Sequence, residues 1–170
     1  MLPLTFIPAT PVLLVGSGPA FEKRRALLLA AGISVLTICA TRPDATALDA
    51  ARLVFGAGLP DAENEWLAAE ARARRIPVNI EDVPHLCDVH VPSIVRRGEL
   101  LLTISTAGGA PALSVALREW LGEQFGPEWA DHLAEMADLR ARLRASGAKP
   151  PEIIAAMRAH LAAAAWPPLA

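Results

Sequence analysis

Pro11-Val-Leu-Leu-Val-Gly-Ser-Gly-Pro-Ala-Phe21 is a short apolar run of strand formers that ends in a glycine turn and passes directly into a helical pattern. That pattern runs over 19–31 and is closed by Gly32. Proline in the first turn and glycine just past the last follow the asymmetry of helix ends. Two further apolar segments, 34–39 and 52–57, read as strands with a short helix over 44–51 between them, which makes a βαβ unit. A helix over 61–75 sets Trp66, Leu67 and Ala71 on one side and Glu65, Arg72 and Arg75 toward solvent, and a fourth strand follows at 77–80. Strand and helix alternate throughout, so the expected fold is α/β with a doubly wound parallel sheet.

The texture changes after Glu81. Segments 88–95 and 99–105 read as two strands joined by a basic turn, Arg96-Arg97-Gly98, and helices are expected over 110–124, 127–145 and 150–164. No helix follows those two strands closely enough to continue the β-α alternation. The chain therefore divides into a nucleotide-fold half, 1–91, and a strand-plus-helix half, 92–170, suited to oligomerisation and ending in a helical C-terminus.

In the glycine loop, Gly16 allows the tight turn and Gly18 lets a pyrophosphate approach the backbone. The third fingerprint position wants a small residue and holds Phe21. The loop opens a helix whose free N–H groups favour an anion, although Pro19 removes one donor. After the second strand the chain reads Cys39-Ala-Thr-Arg-Pro-Asp44, without a carboxylate where an NAD enzyme binds its ribose. Arg42 there suits either the extra phosphate of NADP or plain solvation, so the choice between NAD and NADP stays open.

Composition removes other classes. The 170 residues carry 16 basic and 18 acidic side chains, a net charge of −2, which is unlike a protein that binds nucleic acid by neutralising phosphates. With 53% hydrophobic residues the chain has ample material for a core. The uncharged run 1–21 lacks a basic start and is broken by Pro3, Pro8, Pro11 and Pro19, so it reads as neither a signal nor a membrane span. Cys39 and Cys87 have no CxxC spacing, and a reducing cytoplasm is the expected location.

One segment is more specific: Pro77-Val-Asn-Ile-Glu-Asp-Val-Pro-His-Leu-Cys-Asp-Val-His-Val-Pro-Ser-Ile-Val95. With the Val-Gly-Ser-Gly turn before Glu22-Lys23-Arg24, and Ile104-Ser-Thr-Ala-Gly-Gly-Ala-Pro111, it resembles the precorrin-2 dehydrogenase and sirohydrochlorin ferrochelatase family, the N-terminal part of siroheme synthase. Asn79, Asp82, Pro84, Pro92, Ser93, Ile94, Arg97, Ser105, Gly108 and Pro111 fall on the family pattern in order, and the likeness spans roughly 4–144. The resemblance implies a Rossmann-like NAD-binding domain, a dimerisation region and a homodimer with its active site in a cleft. It also implies two reactions of siroheme biosynthesis: NAD-dependent oxidation of precorrin-2 to sirohydrochlorin, and insertion of ferrous iron as a substrate.

The resemblance places the catalytic carboxylate on Asp82. It places cofactor contacts on Gly16, Ser17, Gly18, Pro19, Ala20, Ala40, Thr41, Ala57 and Asn64, and substrate contacts on Asn79, Ser93, Arg97, Ser105, Thr106 and Gly108, with no resident metal ligand. Thr106 stands where some members carry a phosphorylated serine. Three departures lie on the cofactor side: Phe21, the loss of a Thr-Asp pair in Ala57-Gly-Leu-Pro-Asp-Ala-Glu-Asn64, and a shortened stretch between Ala40 and Arg52. They predict loose nucleotide binding and a dehydrogenase activity weaker than chelation or absent.

A carboxylate at Asp82 suits both reactions, taking a proton as hydride leaves the macrocycle or taking pyrrole protons as iron enters. The bland alternative is a turn carboxylate bonding nearby N–H groups. His85 and His90 lack a fixed metal-ligand spacing. Lys23, Arg24, Arg96 and Arg97 suit either a polycarboxylate substrate or solvation, and the four tryptophans suit core or interface. Beside the enzyme stand two rivals: a diverged non-catalytic dimer that binds a tetrapyrrole or nucleotide as carrier or sensor, and a generic NAD-binding regulatory module.

Overall fold

The computed structural model describes residues 5–166. The chain forms two compact units, Met1–Val91 and Pro92–Ala170. The first is a four-stranded parallel sheet in the order β2-β1-β3-β4, made of β1 (Val12–Gly16), β2 (Leu36–Cys39), β3 (Leu53–Ala57) and β4 (Val78–Ile80). Helices α1 (Gly18–Ala30), α2 (Ala45–Ala50) and α3 (Asp61–Ala73) make the crossovers. Every residue of β1, β3 and β4 is buried, the mark of strands covered on both faces.

The core accordingly has two layers. On one face Leu13, Val15, Val54, Val78 and Ile80 pack with Leu48 of α2 and Leu67, Ala68 and Ala71 of α3. On the other, Val12, Leu14, Leu53 and Phe55 pack with Phe21 and Leu28 of α1. The chain leaves β1 toward β2, then returns over β1 to β3, so α1 lies on one face and α2 and α3 on the other.

Helix ends follow the residues that stop them. Gly32 has φ 75°, and the Ile33 N–H donates to the Leu28 carbonyl at 3.2 Å, a Schellman closure that glycine makes without strain. Helix α3 closes in the same way, through Ile76 N–H to the Ala71 carbonyl at 2.9 Å, but with Arg75 at φ 58°. Asp44 caps α2 by accepting from the Ala47 N–H at 2.8 Å.

The second unit holds an antiparallel hairpin, β5 (Ser93–Arg97) and β6 (Leu100–Ile104), and helices α4 (Pro111–Gln124), α5 (Trp129–Ala145) and α6 (Pro150–Ala164). The turn is two residues, Gly98-Glu99, with glycine at φ 57° in its first position. Trp129 is buried against Phe125, and Trp166 stacks on His132 at 4.2 Å. Helix α4 has no buried residue. Among the described residues no helix is long and apolar enough to cross a membrane.

Two expectations about this region are corrected. The fifth strand starts at Ser93 and not at Asp88, because Asp88 and Val89 are bound to the edge of β4: the Asp88 N–H donates to the Val78 carbonyl at 2.8 Å, and the Val89 carbonyl accepts from the Asn79 amide at 2.9 Å. Arg96 and Arg97 are strand residues paired with Leu101 and Leu100, so the turn itself is not basic.

Candidate functional site

In a sheet of this order the strand connections diverge on either side of β1, and the crevice outside the carboxyl ends of the strands is where such folds bind ligands. A cleft of about 370 Å³ lies there, lined by Val15 and Ser17 after β1, Ala40, Thr41 and Arg42 after β2, and Gly58, Leu59, Pro60, Glu63, Trp66 and Leu67 from β3 into α3. Two glycines make it. A β-carbon on Gly16, at φ 137°, would overlap the Ala57 carbonyl, and one on Gly58, at φ 68°, would overlap the Ser17 carbonyl. The β1 and β3 turns are thus in backbone contact, and only glycine serves at both positions.

Of the cofactor set expected from sequence, Ser17, Ala40 and Thr41 line the cleft. Gly16 and Ala57 are register partners beneath it. Gly18, Pro19 and Ala20 open α1 beside it, and Ser17 is the helix N-cap with its hydroxyl making no capping bond. Asn64 is buried and braces the rim, its amide donating to the Leu59 carbonyl at 3.2 Å. Phe21 is 7% exposed and sits in the α1 layer of the core, so the bulky third fingerprint residue is absorbed by packing.

Sequence reasoning missed Gly58, Glu63 and Trp66. The Gly-Leu-Pro that replaces the Thr-Asp pair looks like a loss, but a glycine directly after a buried strand is also the signal of close backbone approach. Arg42 is bound to Glu63 by two hydrogen bonds, Nε to Oε2 at 2.7 Å and a terminal nitrogen to Oε1 at 3.0 Å. Its guanidinium lies 4.6 Å from the Trp66 ring centre. The hydrogen bond from Arg42 holds the Glu63 carboxyl below its ordinary range, and Glu63 raises Arg42 in return.

Asp82 follows β4 in the same unit. Its φ is 60°, in the left-handed region that aspartate adopts only at a cost, and the Val83 N–H closes the turn onto the Ile80 carbonyl at 3.3 Å. The side chain is exposed, and no described N–H donates to its carboxylate, unlike the bonded turn carboxylate of the bland reading. The turn is pinned from behind. The Ile80 N–H donates to the Cys87 sulfur at 3.3 Å, the Cys87 thiol meets the Ile80 carbonyl at 3.1 Å, and the buried Asn79 amide holds the Val89 carbonyl. Asn79 therefore supports the turn. Asp88 adds bonds to the Val78 N–H and to Arg72.

Arg24 of α1 faces this turn. Burial over the Phe55 ring lowers its pKa, and the charges of Glu81, Cys87 and Asp82 draw it back up. A cation stays beside the free carboxylate, since a guanidinium does not deprotonate in proteins.

In the second unit the expected substrate residues divide. Ser93 pairs with Ile104, adjoining the loop that holds Ser105, Thr106 and Gly108. In that loop the Gly109 N–H donates to the Thr106 carbonyl at 2.9 Å around Ala107 and Gly108, both at positive φ. Arg97 stands at the other end of β5, roughly 13 Å of strand away. Its guanidinium donates to the carbonyls of Phe125 at 2.7 Å, Gly122 at 2.9 Å and Arg96 at 2.9 Å, closing the C-terminus of α4. Among the described residues no three His, Cys, Asp or Glu side chains gather into a metal-holding group.

A cleft at the switch point of a doubly wound sheet, between two turns that meet through glycines, is the arrangement of the dinucleotide-binding α/β class. The family described as "Putative NAD(P)-binding" matches residues 7–93. The siroheme synthase of Methylococcus capsulatus is 34% identical over 154 residues, 79% of this chain and 32% of that protein, and the one from Methylobacillus flagellatus is 38% identical over 128 residues, 64% and 27%. The chain spans about a third of the length of the curated relatives it matches. The solved structure of SirC, precorrin-2 dehydrogenase, matches with a TM-score of 0.74 at 17% identity, covering 93% of this chain and 88% of that one, a likeness of fold. The chain belongs to the NAD(P)-binding family of the N-terminal part of siroheme synthase.

Proposed function

We propose that this chain oxidises precorrin-2 to sirohydrochlorin with NAD and passes the product to ferrous iron insertion, as the last steps of siroheme biosynthesis. The observation that carries the proposal is Asp82, a carboxylate without a hydrogen-bonding N–H, held at φ 60° at the carboxyl end of β4 in the unit that contains the cleft. Non-glycine residues persist in that conformation where the surrounding structure enforces it, and such places concentrate at functional sites.

A dinucleotide reading of the cleft is supported by its place at the carboxyl ends of β1, β2 and β3 and by Ser17, which lines it and is the N-cap of α1, because a helix start favours an anion. Ser17 and the start of α1 would hold the phosphates, and Ala40 and Thr41 the adenosine half. When bound, the nicotinamide accepts the hydride. Asp82 takes the proton that leaves the macrocycle with it, and Arg24 offsets the carboxylate's negative charge. In iron insertion the same carboxylate receives pyrrole protons as the metal, a substrate, replaces them.

The proposal includes a cytoplasmic homodimer formed through the second unit. Leu113, Leu117 and Trp120 stand at i, i+4 and i+7 of α4 and are 54%, 37% and 55% exposed, an apolar stripe that calls for a covering partner. Sedimentation at micromolar concentration is expected to give the dimer. A monomer at that concentration removes it.

Anaerobic incubation with precorrin-2 and NAD tests the chemistry: NADH and sirohydrochlorin are expected to appear in equal amounts. If the tetrapyrrole binds and neither product forms, the non-catalytic carrier takes its place, a reading supported by the missing Thr-Asp pair.

A further inference from the structure

The cleft contains one ion pair that the family resemblance does not account for. Arg42 follows β2, at the position where a dinucleotide enzyme meets the adenosine ribose. An NAD enzyme has a carboxylate there for the two ribose hydroxyls, and an arginine there suits the 2′-phosphate of NADP. Here the carboxylate comes from a different element: Glu63, in the first turn of α3, is clamped by Arg42 through two hydrogen bonds, and both side chains line the cleft.

We infer that Glu63, held in place by Arg42, is the ribose-recognition residue of this chain and makes it selective for NAD over NADP. The inference rests on the dinucleotide reading given above. A carboxylate has about four lone-pair sites, and Arg42 uses one on each oxygen, so each Glu63 oxygen keeps a site for a ribose hydroxyl. The guanidinium carbon lies 4.6 Å from the Trp66 ring centre, a cation–π contact that favours the paired arrangement in which the carboxylate faces the cleft. A 2′-phosphate at the same place would set a dianion against Glu63, and Arg42 has already given its paired N–H groups away. Coulomb repulsion at contact distance in water amounts to about a tenfold loss of affinity.

Calorimetric titration of the full chain with NAD and with NADP reads this directly. The parent protein is expected to bind NAD about tenfold more tightly than NADP. Glu63→Gln keeps the shape, removes the charge and frees the guanidinium, so the ratio should fall to about one or reverse. Adding Arg42→Ala to Glu63→Gln should cancel the NADP gain, because the freed guanidinium is its source. An unchanged ratio in Glu63→Gln, or an NADP gain that survives in the double variant, overturns the inference and leaves NAD binding standing. Failure of the parent to bind either dinucleotide overturns the nucleotide reading and this inference with it.

Discussion

The backbone of Gly58 lies so close to the Ser17 carbonyl that a β-carbon could not be placed between them. The turn after β3 therefore fixes the turn after β1, and the cleft is formed by two loops that hold each other. Sequence comparison alone would score this stretch as a lost motif. Its physical meaning is a loop shaped by backbone contact.

Substitution of that glycine is expected to be costly. Gly58→Ala combines a left-handed backbone, about 1–2 kcal/mol, with overpacking of about 1–3 kcal/mol, so urea unfolding should show a loss of several kcal/mol. Gly18→Ala, where the φ is 80° but no described atom lies within 4 Å, should lose only the backbone part. Equal losses at the two positions would remove the claim of contact.

Phe21 provides a sharper contrast between motif and packing. Placing a small residue at the third fingerprint position with Phe21→Ala should destabilise the protein by about 3–5 kcal/mol, because the ring fills the layer between α1 and the sheet. A gain in both stability and NAD affinity would mean that the fingerprint, and not the packing, sets this position.

Asp82→Asn should lower turnover of precorrin-2 by about 10²- to 10⁴-fold, the usual worth of a general base. The fold should be intact, since asparagine tolerates the left-handed region and no hydrogen bond to the carboxylate is lost. The assay is anaerobic formation of sirohydrochlorin, with an unfolding curve on the same preparation. Parental turnover in a folded variant would make Asp82 a turn residue only.

The selectivity assigned to Glu63 carries a pH signature. Its pKa is lowered in the folded protein by the hydrogen bond from Arg42, so the charged form, and with it the discrimination against NADP, should persist below the ordinary glutamate value of 4.5. Selectivity should be constant above about pH 7, weaken at about pH 6 as the 2′-phosphate of NADP goes from dianion to monoanion, and disappear as the pH falls through the lowered Glu63 pKa. Titrations with both dinucleotides between neutral pH and the acid limit of folding measure it. Complete loss of selectivity by about pH 6 would mean that Glu63 is not its source.

What the sequence disclosed, it disclosed through periodicity and punctuation. The parallel sheet was legible because β1 and β3 are continuous apolar runs, and the stops at Gly32 and Gly147 because each is a glycine just past its helix, where the structure has positive φ. The start of β5 was not, since 88–92 has the apolar content of a strand but Asp88 and Val89 are bound to the edge of β4. The site was legible where residues adjacent in sequence are adjacent in space, as in Ser17 and the start of α1. The pairing of Arg42 with Glu63 spans 21 positions, and the use of Arg97 at the end of α4 spans 28 to Phe125. No local pattern encodes either.

The turn that bears Asp82 hangs from β4, a strand of three residues at the sheet edge, bonded on one side to β3 and on the other, among the described residues, to the loop that returns through Cys87 and Asp88. Opening that loop exposes one short strand and leaves β1 and its neighbours intact. Its free energy of local unfolding is thus set by a handful of bonds, well below the global value. Amide exchange across 78–89 should be faster than in β1 and slow down when the macrocycle is bound, so the ligand contributes part of the order of the very segment that acts on it.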